Sequence, residues 1–344
     1  MDETLKRSNL EQRGNPETLK PTNPEAQLFN GGNLVLITGT THPELARNVA
    51  GHMGLTLDEP VTTFDDSETS VQIAENLRGK EVVILQSTCR PVNESWMQLY
   101  LMADAARRGS AKHISAVVPY FGYARQDRKS QPREPISSAL MARFCETAGI
   151  DHLLTLDLHA DQTQGTFHGP WDNLPGSYAY IPEILKHGTK NKIVVSPDAG
   201  RLKADEKIAK KLNMPLASIY KSRSLKEKNV VDSIGLMGDV KGMDCWLIDD
   251  LTLTGGTLMK GSDLLMENGA ASVGAVVTHF TGDKKALDRL YASSFTHVIM
   301  TDTTPVEVPD EYKDKIRVVS VAPMLAEAIW RNQTGESLSE VFYK

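Results

Sequence analysis

The sequence predicts an α/β protein made of two related halves, each a mainly parallel sheet flanked by helices. Three observations carry the prediction. Short apolar runs recur along the chain, amphipathic stretches lie between them, and one strand–loop–helix–strand segment occurs twice. Continuous runs of Val, Ile and Leu suit strands buried on both faces. A helix between successive strands is the connection that a parallel sheet requires.

The elements follow in order. "LVLITG" from Leu34 reads as a strand and "PELARNVAGHMG" as a helix ending at Gly54. "EVVILQS" from Glu81 is a second strand, followed by the helix "ESWMQLYLMADAARRG" and the strand "ISAVVPYF". "SSALMARFCETAG" is helical and "HLLTLDL" from His152 is a strand. In the second half "KIVVSPD", "CWLIDD", "VGAVVTHF" and "THVIMTD" are strands, and "LKADEKIAKKLN" and "TLMKGSDLLMENG" are helices. Several helices end at Gly, a common stop signal. The segment from Gly79 to Phe121 resembles the segment from Gly242 to Phe280, each ending Val-Val-x-x-Phe. Their starts are 163 positions apart and their ends 159, so few residues of insertion separate them. The competing reading is chance likeness between ordinary βαβ units. The halves are expected to join near residues 170–190.

Composition bounds the function. With 344 residues, 40% hydrophobic and 24% charged, the chain is long enough for two packed domains. A net charge of −6 argues against general binding to nucleic acid or to an acidic membrane, so any anion site must be built locally. Cys89, Cys145 and Cys245 form no CxxC pair, which argues against a disulfide framework or structural zinc. That usage fits a reducing, cytoplasmic setting. No apolar run approaches the length of a membrane span. Residues 1–28 are polar, lack the apolar core of a signal peptide, and read as a flexible extension.

Two stretches carry chemistry. "WLIDDLTLTGGTLMKGSDLL" is a strand, two acids, a Thr/Gly loop and a helix. Thr254, Gly255, Gly256 and Thr257 open that helix, where unpaired backbone N–H groups suit a phosphate. Asp249 and Asp250 end the strand, placed for sugar hydroxyls or water-bound Mg2+. The equivalent point of the first half has Gln86-Ser87 and "TCRPVNES", without paired acids or a Gly-rich loop. There is no GxxxxGK[ST] element, so the chain is not a Walker-type NTPase. The second stretch, "VVPYFGYARQDRK" from Val117, begins apolar and ends in a charged cluster. It is either a solvated turn or an anion site at the carboxyl end of a strand.

Together with "LTLDLHADQTQGTF", "VVSPDAG", "FDDSETSVQIAENLRG" and "KIRVVSVAPMLAEAI", these stretches resemble the ribose-phosphate pyrophosphokinase family over roughly residues 29–341. The resemblance implies two phosphoribosyltransferase-like domains, 29–175 and 176–321, with the C-terminal stretch 322–344 forming a helix plus tail that packs back on the first. It implies transfer of the diphosphoryl group of Mg-ATP to the C1 hydroxyl of ribose 5-phosphate, releasing AMP. Phe64, Asp66 and Glu68 match adenine-binding positions that reach a neighbouring subunit's site, so a dimer-based homo-oligomer such as a hexamer is implied. Arg125 and Gln126 match nucleotide contacts, and Arg125 a catalytic one. His159 matches a catalytic and metal-site histidine, Asp198 an acid near the metal and ribose. Lys221 and Arg223 match the catalytic Lys and Arg of a mobile loop. Asp249 and Asp250 match the acids facing the ribose, and Thr254, Gly255, Gly256 and Thr257 the 5-phosphate loop.

Each residue has a blander reading. His159 is otherwise a structural histidine, Asp198 an N-cap, Lys221 and Arg223 a solvated loop, and Phe64 ordinary core. Arg128 and Lys129 belong either to the ligand site or to a solvated rim. His42, His52, His113, His168 and His279 show no metal-ligand spacing and read as structural or surface residues. Three positions depart from the family pattern: Leu253 where an acid is usual, Arg201 where a second Gly is common, and Ser130 where many members have an acid. They lie mainly on the acceptor side, which suggests a larger ribosyl phosphate such as ADP-ribose, with Arg201 pairing an extra phosphate. Two other classes are a catalytically weak regulatory subunit and a phosphoribosyltransferase or regulator built on that domain. The retained nucleotide-side residues argue against the first, and the two halves against the second.

Overall fold

The fold is described from a computed structural model for residues 33–222 and 233–343. The extension expected over residues 1–28 and the expected catalytic Arg223 lie outside the described residues. The chain divides into two compact units. One runs to Gly176 and adds Thr303–Pro305 and the chain from Ser320; the other comprises Ser177–Asp302 and Val306–Val319.

In the first unit the elements are β1 (Leu34–Thr38), α1 (Pro43–Met53), β2 (Leu57–Asp58), β3 (Val61–Thr63), β4 (Thr69–Val71), β5 (Glu81–Leu85), α2 (Val92–Arg108), β6 (His113–Val118), α3 (Ser137–Thr147), β7 (His152–Leu156) and β8 (Trp171–Leu174). Six strands form a parallel sheet in the order β2-β1-β5-β6-β7-β8, while β3 and β4 make a separate antiparallel hairpin. The strands β1, β5, β6 and β7 are buried almost throughout. That burial is why they read as continuous apolar runs. Helix α1 turns Leu45, Ala46, Val49, Ala50 and Met53 inward and stops at Gly54. There φ is +66°, and the Gly54 N–H closes on carbonyls of the last turn. The core beside β6 is aromatic: Phe121 lies edge-on to Trp96 with centroids 4.8 Å apart, and 5.1 Å from Trp171.

In the second unit the elements are α4 (Ser177–Lys186), β9 (Lys192–Ser196), α5 (Leu202–Leu212), β10 (Leu216–Ser222), β11 (Ser233–Met237), β12 (Asp244–Thr252), α6 (Gly256–Glu267), β13 (Ser272–Phe280), α7 (Lys284–Ala292), β14 (His297–Thr301) and β15 (Ile316–Val319). The sheet runs β11-β10-β9-β12-β13-β14-β15 and is parallel except for the β10–β11 edge pair. Omitting β11, this is the strand order of the first sheet, with β9, β12, β13 and β14 in the places of β1, β5, β6 and β7. The duplication read from the sequence is therefore a duplication of topology. In both units the chain makes an extra excursion before the central strand. It is the β3–β4 hairpin in the first, and the antiparallel β10–β11 pair in the second.

The chain then returns to the first unit as α8 (Ala322–Thr334) and α9 (Ser339–Phe342), separated at Gly335, where φ is +75°. Helix α8 packs against α1, and Phe342 is fully buried. The Tyr343 hydroxyl donates to the Asn173 carbonyl. A polar tie joins α8 to the sheet. The Asn332 amide lies 2.8 Å from His152 Nδ1, and His152 Nε2 lies 2.8 Å from an Asp172 carboxylate oxygen. An amide N–H can only donate, so Nδ1 accepts and Nε2 carries the proton toward Asp172. His152 is buried, so removing the amide leaves a ring nitrogen unsatisfied. Asn332→Ala is expected to destabilise the protein by about 1–3 kcal/mol. The check is a lower urea midpoint at unchanged m value; an unchanged midpoint would show that packing alone holds the helix.

Among the described residues no helix is long and apolar enough to cross a membrane. The three cysteines are free and buried, and burial pushes the thiols of Cys89 and Cys245 up to about 11 and about 12.

Candidate functional site

In the second unit β12 delivers the acids. Asp249 is half-buried and Asp250 buried, and the Asp250 N–H donates to an Asp249 carboxylate oxygen at 2.9 Å. The loop then turns through Thr252, whose hydroxyl accepts the Gly255 N–H at 3.1 Å. Gly255, at φ +74°, caps α6, which starts at Gly256. Thr254 and Thr257 are exposed. The first amides of a helix have no carbonyl inside it, so a cluster of donors opens beside two exposed hydroxyls. Packing fixes the loop from below. A side chain on Gly282 would put its Cβ 2.4 Å from the Leu253 carbonyl, and one on Gly255 would meet Leu290 at 2.8 Å. Leu253 is 38% exposed, so the departure from the family pattern puts an apolar side chain on the surface of this loop.

Burial, then the adjoining Asp250 carboxylate, push Asp249 up to about 8, against a weaker pull from Arg201. An acid that holds its proton more tightly when folded contributes stability that is complete below its unfolded value near 3.8. That contribution is lost as pH rises through the folded value. The melting temperature is therefore expected to fall between about pH 4 and pH 8 relative to an Asp249→Asn variant, which lacks this titration. Parallel melting curves for the two proteins across that window would contradict it.

Asp198 follows β9 and is exposed. One carboxylate oxygen accepts the Gly200 N–H at 2.8 Å and the Arg201 N–H at 3.2 Å, which closes the turn ahead of α5; the helix N-cap itself is Arg201, so Asp198 is not the cap. Lys221 lies on β10, in register with Ile234 of β11. Arg201 is not placed as the sequence suggested. Its guanidinium lies 3.3 Å from Asp205 and 3.7 Å from Asp250, with little exposure. The side chain is turned inward, toward two carboxylates that offset the cost of burying its charge, rather than outward to an extra phosphate. Asp205 escaped the sequence reading, although its i, i+4 spacing from Arg201 was a signal.

In the first unit the "YFGYARQDRK" loop is anchored at its apolar start. Tyr120 and Phe121 are buried. Gly122 donates its N–H to the Thr88 hydroxyl at 2.7 Å, and a Cβ there would lie 2.4 Å from the Thr88 carbonyl. Beyond it the Gln126 side-chain oxygen accepts from Ser137 at 2.6 Å, and its backbone carbonyl accepts from the Ser138 hydroxyl at 3.2 Å. Arg125 stands exposed between these ties and makes no ion pair among the described residues. Arg128 and Lys129 are exposed as well. His159, after β7, is exposed. Phe64 is 57% exposed in the β3–β4 turn, so it is not core. That turn is closed by Phe64 N–H to the Glu68 carbonyl at 2.9 Å and by Glu68 N–H to the Asp66 carboxylate at 3.1 Å.

The place in the first unit that corresponds to the acids of β12 is filled. The Gln86 amide accepts from Gly39 N–H and donates toward Thr41, the Ser95 carbonyl and Gln98, all between 3.0 and 3.2 Å. Gln98 in turn pairs with Thr40. The buried amide network has its own partners, where β12 carries its two carboxylates.

Among the described residues no three His, Cys, Asp or Glu side chains converge to hold a metal ion. Magnesium does not need such a cage: it keeps several waters and takes one or two carboxylates plus substrate phosphates. The exposed Asp198 fits that demand, and His159, the other residue expected at the metal, is exposed as well.

Comparison with known proteins supplies the family. Residues 34–149 match the model for the N-terminal domain of ribose phosphate pyrophosphokinase, and residues 224–343 that for the phosphoribosyl synthetase-associated domain. The ribose-phosphate pyrophosphokinase of Caldanaerobacter subterraneus subsp. tengcongensis is 44% identical, across 90% of this chain and 98% of its own. Ribose-phosphate pyrophosphokinase A of Dictyostelium discoideum is 43% identical, across 91% and 98%. The crystal structure of phosphoribosylpyrophosphate synthetase from Mycobacterium smegmatis is 38% identical, with a TM-score of 0.81 over 88% of this chain and 99% of that one.

Proposed function

The chain belongs to the ribose-phosphate pyrophosphokinase family, and on that premise we propose that it transfers the diphosphoryl group of Mg-ATP to the anomeric C1 hydroxyl of ribose 5-phosphate, giving 5-phosphoribosyl 1-diphosphate and AMP. It is an enzyme of the ribose-phosphate diphosphokinase class. The observation that carries the substrate assignment is the Thr254–Thr257 turn. Helix amides and two exposed hydroxyls take the 5-phosphate there, and Asp249 and Asp250 accept from the ribose hydroxyls beside it.

In this reading Phe64 stacks on the adenine, Asp66 and Glu68 accept from its edge or ribose, and Gln126 holds Arg125 in place. The anomeric oxygen bonds to the β-phosphorus as the bond to the α–β bridging oxygen breaks; AMP leaves with that oxygen, and the C1 hydroxyl proton passes to solvent. Phosphoryl-type transfer is carried mostly by positioning and by neutralising charge. Arg125, His159, Lys221 and Arg223 meet the charge that gathers on the moving group. Asp198 would hold Mg2+ through water, and the bound ion would neutralise the phosphate oxygens. The exposed Phe64 turn fits a contact with another copy of the chain in a homo-oligomer.

The inward Arg201 favours ribose 5-phosphate over a bulkier acceptor. Mass spectrometry after incubation with ATP, Mg2+ and ribose 5-phosphate is expected to show AMP and 5-phosphoribosyl 1-diphosphate in equal amounts. ADP in place of AMP would overturn diphosphoryl transfer. Faster turnover of ADP-ribose would overturn the acceptor, and no product from either would favour a regulatory subunit.

A further inference from the structure

Three carboxylates lie near the end of β12 and the start of α5, and Arg201 pairs with two of them. Asp205 on α5 is fully buried, Asp250 nearly so, and Asp249 adjoins Asp250. Arg201 reaches Asp205 with one terminal nitrogen, at 3.3 Å, and Asp250 with the other, at 3.7 Å. Asp205 is itself held on its other oxygen by the Ser196 hydroxyl at 2.6 Å. The backbone N–H of Arg201 is tied to Asp198. A chain of contacts thus runs from β9 through the start of α5 to the end of β12. A planar guanidinium suits this span because its nitrogens point in different directions; an ammonium is a single point charge.

We propose that Arg201 is a positioning residue for the acceptor: anchored by Asp205 and Ser196, it sets the orientation of the Asp250 carboxylate that accepts from the sugar hydroxyls. The inference rests on the reading that Asp249 and Asp250 face the acceptor, and it adds a residue that touches no substrate. Arg201 acts through Asp250, so its loss weakens binding of the sugar phosphate and leaves the nucleotide side alone. Leu253 sharpens the need for such a device. An apolar side chain occupies the loop position where a further acid would share the hydroxyls.

The experiment is steady-state kinetics of the full chain with ATP and ribose 5-phosphate, on wild type and three variants, each with a melting curve. Arg201→Ala is expected to raise KM for ribose 5-phosphate roughly tenfold to a hundredfold, with KM for ATP unchanged. Arg201→Lys is expected to recover part of that loss, because an ammonium reaches one carboxylate but not both. The double variant Arg201→Ala/Asp205→Ala removes the cation together with the buried charge it leaves behind. It is expected to melt near wild type yet keep the high KM. If the double variant restores KM as well as melting temperature, Arg201 is only a counter-ion for Asp205 and the proposal falls. It also falls if the acceptor and ATP constants rise together. An active wild type with unchanged variants overturns this inference alone; a wild type that makes no product overturns the reading beneath it.

Discussion

Arg125→Ala is expected to lower kcat by roughly a hundredfold to a thousandfold, the scale set by removing one preorganised donor from a charge-developing transition state. The effect is large because the loop does not need the side chain to hold its shape. Its apolar start is locked by Phe121 among Trp96 and Trp171, and its far side by Gln126 bonded to Ser137. The loop therefore keeps its place when Arg125 is shortened, and the loss is confined to the charge. Exposed and without an ion pair among the described residues, Arg125 contributes little to folding, so the melting temperature is expected to stay within about a degree or two. Arg125→Lys is expected to recover only part of the rate, since an ammonium lacks the forked donors that match phosphate oxygens. A kcat within threefold of wild type would remove Arg125 from the mechanism and turn attention to Arg128 and Lys129, which are exposed on the same loop.

The sequence made the central strands of both sheets legible because burial on both faces writes a continuous apolar run. The helices between them were legible where an apolar stripe ended at Gly, as α1 does at Gly54. What it hid lies at the edges. Strand β8, Trp171–Leu174, is buried only at its ends, and β2 is two residues long. Neither carries enough period to announce itself. Helix α4 contains Pro182, a local signal against helix that packing overrides. In the candidate site, the residues that announce themselves are those whose candidacy rests on local backbone geometry. The Thr254–Thr257 turn is one, and a following helix is all it needs. Arg201 could not be read the same way. Whether a cation faces an incoming phosphate or a buried acid depends on β12 lying beside the start of α5, a tertiary fact. The Gln86–Gln98 network is of the same kind: the sequence shows missing acids in the first half, and only the packed structure shows what replaced them. The shared strand order also relates two features that look unrelated in sequence. The Phe64 hairpin and the antiparallel β10–β11 pair occupy the same step of the repeat.

Gly255→Val is expected to lower kcat/KM for ribose 5-phosphate by about a hundredfold or more, mainly through KM. Two separate obstacles meet at this residue. Its φ of +74° lies in the left-handed region, which a β-branched side chain resists by more than the ordinary 1–2 kcal/mol. The new Cβ would also approach to 2.8 Å of the buried Leu290 on α7, where overpacking adds about 1–3 kcal/mol. The loop can relieve both only by moving away from α7, and Gly282 blocks retreat in another direction by its close approach to the Leu253 carbonyl. The amides that open α6 then no longer converge, and a phosphate held by backbone geometry loses several contacts together. Nucleotide affinity is expected to be unchanged, because the residues read as binding ATP belong to the other compact unit. Gly255→Ala is the informative neighbour. It keeps most of the backbone strain while adding only the atom that meets Leu290, so an intermediate KM is expected. Binding of ribose 5-phosphate measured by calorimetry separates this from a loss of catalysis. If Gly255→Val binds the sugar phosphate as tightly as wild type, the phosphate does not sit on the Thr254–Thr257 turn, and the acceptor assignment must be abandoned.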